Sequence, residues 1–161
     1  MANDIFAGLY VDVFLSDKTD NTSVQGTDFV LIPELSAFPE TGIERTVIDV
    51  PNFSSDTNRK LVGRASIPDI ALSLNYIPGD LMHEKIRALG DSGTKSQFKI
   101  VYYTDATKTI GLASVYNGFI SSANLSGGAD AVVTQNFTLA IDKRVISQVV
   151  DTSMSGGSGN P

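Results

Sequence analysis

Residues 70–90 read IALSLNYIPGDLMHEKIRALG, and a change of period inside them decides the fold. Ile70, Leu72, Leu74 and Tyr76 alternate with Ala71, Ser73 and Asn75, a spacing of two that suits a half-buried strand. Pro78, Gly79 and Asp80 stop that strand. Beyond them Met82, Ile86 and Leu89 recur at spacings of four and three, the apolar stripe of a short amphipathic helix. Asp80 is placed to cap it, because its carboxylate can accept from a first-turn N–H. Gly90 is expected at the C′ position, where φ is usually positive. The spacing predicts a helix at about 80–89 whose core side is Met82, Ile86 and Leu89. His83, Glu84 and Arg87 are expected on the other side, facing solvent or a neighbour. Ile86→Asp should then abolish folding and His83→Ala should spare it.

Working outward, the rest of the chain reads as strand and loop. Leu9–Leu15 is rich in β-branched and aromatic residues, with Leu9, Val11, Val13 and Leu15 on one face. Ser16–Thr27 is a polar loop. Asp28–Ile32 is a short strand ended by Pro33, and Ile43–Val50 alternates with neither face clearly buried. Pro51–Ala65 is polar, holds Arg59, Lys60 and Arg64, and reads as a long excursion. Loops beyond ~12–15 residues in a compact domain are usually functional or disordered, so this one is the first candidate for contact with another molecule. Downstream come strands at Gln97–Tyr103 and Thr109–Ser121, with Gly111 and Gly118 at expected bulges or close approaches. Ser122–Asp130 reads as a loop and Ala131–Ile141 as the last clear strand. In that strand Thr134, Asn136 and Thr138 form a row of uncharged polar side chains. Lys143–Asp151 is expected to add a short strand or arm. About seven strands at regular spacing make the chain mainly β, an antiparallel sandwich or barrel with one short helix and a long protruding loop. One domain is expected over 1–151 and a flexible tail over 152–161.

Composition narrows the function. The chain has 161 residues, 42% of them hydrophobic and 19% charged, with a net charge of −6. Binding nucleic acid through phosphate neutralisation wants a basic face, and this balance argues against it. There is no cysteine, which removes disulfides, thiolate metal sites and cysteine nucleophiles. No apolar run approaches the ~20 residues of a spanning helix, and Met-Ala-Asn-Asp does not open a signal peptide. The protein is therefore expected to be made in a cytoplasm without a membrane segment.

Catalytic and ligand chemistry finds little to work with. His83 is the sole histidine, and a general base needs an orienting carboxylate and a nucleophile beside it. Asp17, Asp20 and Asp28 flank a polar loop, but their spacing matches no calcium-binding loop. Gly127-Gly128 and Gly156-Gly157 lack the lysine and the strand–loop–helix setting of a phosphate cradle. No enzyme, cofactor or metal is expected.

The order of these elements resembles the tail tube (major tail) proteins of bacteriophages. The likeness runs over about residues 28–142. It begins with DFVLIPEL and IERTVIDV, continues through RKLVGRASIPD and peaks at LSLNYIPGD followed by HEKIRALGDSG. QFKIVYY, Gly118-Phe119 and a threonine-rich closing strand complete it. The resemblance implies a virion protein of the tail, assembled in the host bacterial cytoplasm. Its subunits would form hexameric rings stacked into a hollow tube, with a long loop reaching the next ring. Partners would be the tape measure protein, the tail terminator and tail tip or baseplate proteins. The genome would cross the lumen without specific binding. Related readings are a secreted tube of a contractile injection or type VI-like system, or, outside this class, a monomeric β-sandwich binding module. Inter-ring contacts are expected at Asn52, Phe53, Arg59, Lys60 and Arg64, meeting acids such as Glu40, Glu44 or Asp49 on the next subunit. Deleting Asn52–Arg59 should leave a folded monomer that does not polymerise. The lumen is expected to be net negative, lined by strands at 9–15, 43–50, 70–76 and 131–141.

Overall fold

In the computed structural model, which describes residues 5–26 and 28–151, the alternating segments become eight strands and one helix. They are β1 (Tyr10–Ser16), β2 (Val30–Leu31), β3 (Glu44–Val50), β4 (Arg59–Ser66), β5 (Ile70–Asn75), α1 (Leu81–Ser92), β6 (Ser96–Tyr103), β7 (Ile110–Gly128) and β8 (Ala131–Asp151). All pairings are antiparallel. Six strands form one sheet in the order β2-β1-β6-β7-β8-β5, and β3-β4 form a sheet of their own.

The long hairpin β7-β8 does the work of two. The first part of β7, residues 111–118, lies between β6 and β8. The second part has β8 beside it, and β8 there takes β5 on its other side through Ile70↔Leu139 to Asn75↔Thr134. The changeover falls at register shifts around Asn117/Gly118 and Ile120/Ser122. A Cβ at Gly118 would collide with the carbonyl oxygen of Ala140, so the bulge needs glycine there.

Inward residues of both parts meet in one core. Val13 and Leu15 of β1, Phe98 and Ile100 of β6, Leu72 and Leu74 of β5, and Phe137 and Leu139 of β8 are all buried in a single cluster. On the opposite face of the same strands, Val101, Ala113 and Val115 form a second cluster with Val24. The loop between β1 and β2 covers that face. Three side chains pin its carbonyls: Gln97 donates to Asn21 O at 2.9 Å, Lys99 to Val24 O at 3.0 Å and Asn117 to Thr19 O at 3.3 Å. Burial holds the Lys99 ammonium below its ordinary pKa, while the Phe14 and Phe29 rings lie 4.4 and 5.1 Å from it.

Residues 30–36 run between the sheet's two edges. Val30 and Leu31 pair with β1. After Pro33, Leu35 bridges Leu74, Asn75 N donates to Glu34 O and Ser36 N donates to Ser73 O, both at 2.8 Å. Pro33 has no N–H to give and Glu34 sits at φ 66, so the ladder breaks between the two edges. The sheet curls into a sandwich-like core without closing as a continuous barrel.

The helix corrects three expectations. Asp80 caps it as expected, accepting from Met82 N at 3.0 Å and His83 N at 3.2 Å. But the helix runs on through Gly90, and Gly93 at φ 68 is the C-cap, its N–H bonded to Leu89 O. Gly90 instead lies against Ala123 and Ile120 of β7. His83 is not exposed; it is completely buried. Residues 83, 86 and 90 are spaced three and four apart and share the inward face, so the buried stripe is wider than Met82, Ile86 and Leu89 alone. The third correction concerns Glu84 and Arg87. They are half exposed but held: Tyr76 Oη donates to Glu84 Oε1 at 2.6 Å, and Arg87 bonds both Glu84 and Tyr76. The Tyr76 hydrogen bond draws the Glu84 carboxyl below its usual range and pushes the Tyr76 phenol up.

His83 fastens the helix to the 30–36 segment. Its Nδ1 accepts from Ile77 N at 3.1 Å and its Nε2 lies 3.0 Å from Pro33 O. These partners require the tautomer with the proton on Nε2. His83→Ala, expected from sequence to be harmless, would open a cavity and leave the part-buried Ile77 N–H and Pro33 carbonyl without their partner. We predict a loss of about 3 kcal/mol. A urea unfolding midpoint equal to that of the parent chain would contradict this.

Candidate assembly interface

A strand offers N–H and C=O groups on both sides, and a side without a partner is a template for another strand. In the described residues of the six-stranded sheet, two long stretches are in that position. Residues 140–150 of β8 have only β7 beside them, and residues 119–128 of β7 have only β8. Neither stretch contains proline. Charge guards only residues 142–144, Asp-Lys-Arg, while 145–150 read VISQVV.

The β3-β4 hairpin is the second feature. Sequence placed a loop over Pro51–Ala65; the structure makes residues 59–65 of it part of a strand, with Val50 paired to Arg59 and Glu44 to Ser66. The irregular part is only 51–58. The apolar residues at this hairpin face outward on both sides: Val47, Ile48, Leu61 and Val62 are exposed, and Phe53 at the tip is fully so. A two-stranded hairpin is marginal by itself in water. An arm carrying this much uncovered apolar surface marks an interaction site.

Seven of the eight residues expected at inter-ring contacts lie on this arm. Asn52 shapes the tip turn by accepting from Ser54 N at 3.0 Å. Arg59, Arg64 and Glu44 are exposed. Lys60 bonds Asp49 of its own chain across the arm at 2.7 Å. The two face each other in the strand register, which a loop reading of that stretch could not show. With both partners well exposed, the pair contributes at most about 1 kcal/mol.

Glu40 lies off the arm, on the rim of a cleft of about 490 Å³ lined by Phe6, Gly8, Phe38, Thr41 and Tyr102. Phe38 stacks on Tyr102 with ring centroids 5.1 Å apart. The Tyr102 hydroxyl donates to Pro39 O at 2.6 Å. Sequence reading missed this cleft, because its walls come from segments far apart in the chain and Tyr102 looks like an ordinary sheet residue. Burial pushes the Tyr102 phenol above its ordinary value. A raised phenol stabilises the fold fully below the unfolded value of about 10, and that contribution is lost as pH rises through the folded value. We expect stability to fall above pH about 10 and Tyr102→Phe to make the fall shallower in alkaline thermal melts. A part of it stays, since Tyr103 is also raised by burial.

A third surface is chemically uniform. Ala71, Ser73 and Asn75 of β5 pair with Thr138, Asn136 and Thr134 of β8, which pair with Ser122, Asn124 and Ser126 of β7. None of these nine side chains is charged. They bond one another: Ser73 to Asn136, Asn136 to Ser126 and Ser126 to Thr134, each at 2.8 Å. Such pairs hold the distal part of the hairpin without apolar alternation, which is why residues 122–130 read as a loop. Asp28, one of the three aspartates around the β1–β2 loop, accepts from Ser16 and Asn21, and the Ser16 hydrogen bond lowers its carboxyl pKa.

No protein-family model matches the sequence, and no curated protein does. Solved structures do match. The SPP1 tail tube is similar at a TM-score of 0.64 and 16% identity, with 98% of this chain and 87% of that one covered. A chain of the extended PVC sheath–tube complex, from an extracellular contractile injection system, matches at 0.63 and 16%, covering 91% and 93%. A chain of the tube-terminating cap of the anti-feeding prophage matches at 0.66 and 19%, covering 93% and 95%. The likeness spans nearly the whole of each chain, and it assigns to this one the fold of the tubes in tails and contractile injection systems.

Proposed function

We propose that this chain is a structural tail tube subunit, assembling into hexameric rings that stack into a hollow conduit for DNA. The observation that carries the proposal is the pair of long strand edges, 140–150 and 119–128, left without a partner in this fold. Joining the edge of one copy to a different edge of the next is a heterologous contact, and a heterologous contact closes into a ring when its rotation permits. The tail of the empty GTA particle, similar at a TM-score of 0.59 and 17% identity over 88% of this chain, was solved with C6 symmetry. The role is mechanical, with no reaction and no cofactor.

The uncharged face of β5, β8 and β7 suits the lumen wall. Phosphate contacts by even several lysines would make DNA adhere in a salt-dependent way, whereas hydroxyls and amides already bonded to each other offer little grip. The wall we propose is therefore neutral rather than net negative. The proposal places the protein in the virion tail, assembled in the host cytoplasm. Its further partners would be the tape measure protein, the terminator and the tip or baseplate proteins, and residues 1–151 would act as one domain. The matches to injection-system chains favour a second reading, a tube of such a system, with the same subunit mechanics.

Electron microscopy of the purified protein tests the proposal. Hollow tubes or six-membered rings at high concentration are expected, with no lysine or arginine projecting from the β5 face into the lumen. Protein that stays monomeric both alone and with an initiating tip complex would overturn it.

A further inference from the structure

We infer that the tip of the β3-β4 arm docks into the Phe6–Phe38–Tyr102 cleft of a second copy, with Phe53 as the aromatic plug and Arg59 closing on Glu40. The inference rests on the tube reading and specifies one of its contacts. Phe53 is fully exposed at the tip. The cleft, at about 490 Å³, has three aromatic rings in its walls, those of Phe6, Phe38 and Tyr102. A cavity of roughly 150 Å³ already accommodates a benzene ring. Its floor is fixed, since Tyr102 is bonded to Pro39 O and to Thr41 Oγ1, and Phe38 packs directly over Gly8. An aromatic anchor entering a preformed aromatic pocket is the usual make-up of an interface hot spot.

Charge selects the same pair of surfaces. Arg59 stands across from Val50 at the base of the tip, and Glu40 stands on the cleft rim. Neither has an ion-pair partner among the described residues. The chain carries 18 acidic and 12 basic residues, so a basic tip meeting an acidic rim is a selective match. A chain cannot satisfy itself in this way. Residues 41–43 lead from the cleft wall straight into β3, and the seven residues of β3 then carry the tip roughly 24 Å away. Each copy thus offers one plug and one socket at opposite ends of the arm. Used head to tail, that contact is heterologous and can pass from copy to copy.

The absence of cysteine makes the test clean. The variant Ser54→Cys with Thr41→Cys leaves Phe53, Arg59, Phe38, Glu40 and Tyr102 in place. Treated with a short bismaleimide under assembling conditions, it should give a ladder of covalent multimers, and neither single variant should give more than a dimer. Phe53→Asp should raise the concentration needed for assembly by roughly tenfold or more. Glu40→Arg should weaken assembly, and adding Arg59→Glu should restore it. Tubes by microscopy without a covalent ladder would overturn the docking while leaving the tube reading intact. A ladder without tubes would support the docking and count against the tube. Neither tubes nor ladder would overturn both.

Discussion

Ile86→Asp is expected to leave no folded protein. Ile86 has no exposed surface and lies in the main core with Leu72, Leu74 and Ile120. The helix reaches the sheet through it, with Met82 and Leu89 packed alongside. Replacing it removes a large apolar side chain and puts a carboxyl where no donor waits. Loss of the aliphatic group alone costs about 2–5 kcal/mol, and burying an unpaired charge adds several more unless the group takes a proton. A domain of this size has about 5–15 kcal/mol in total. The effect therefore equals or exceeds the whole stability. Far-ultraviolet circular dichroism and yield of soluble protein read it directly. Ile86→Val, which keeps the shape, should lose only about 1 kcal/mol. A soluble Ile86→Asp with the parent melting temperature would mean that the helix is dispensable to the core.

That helix was legible because two periods meet at Asp80. A period of two placed β5 within one residue, and a period near 3.6 placed the stripe of Met82, Ile86 and Leu89. What stayed hidden has a common physical cause: partners distant in sequence. His83 is buried because Pro33 lies fifty positions away and presents a carbonyl to it. Gly90 reads as a stop signal, yet Ala123 and Ile120 need the room it leaves. The far part of β7-β8 has no apolar alternation, since its stabilising contacts are hydroxyls and amides paired across strands. The arm concealed its strands for a related reason. Pairing between Val50 and Arg59 can be seen in the register but not in composition, because neither face of the arm is covered by its own chain. The uniform row Thr134, Asn136, Thr138, by contrast, was plain in the sequence and proved to be one third of a larger neutral face.

Shortening the arm should separate folding from assembly. Deleting Asn52–Arg59 outright would remove the first residue of β4 and its pairing to Val50. Replacing residues 51–58 by Asn-Gly keeps both strands and joins them by a two-residue turn whose twist suits a hairpin. The segment removed contributes nothing to either core cluster, so monomer stability should change by less than about 0.5 kcal/mol. Assembly should respond very differently. Burying one phenylalanine is worth roughly 2–3 kcal/mol, and in a polymer every subunit loses that contact. At 1.4 kcal/mol per tenfold, the concentration needed to assemble should rise by about thirtyfold to a hundredfold. Sedimentation across a concentration series, with the melting temperature measured on the same samples, separates the two effects. A lower melting temperature would mean that the tip supports its own chain. Unchanged assembly with an unchanged melt would leave the joints between copies to the strand edges and the rest of the arm, and the exposed Phe53 with no part in them.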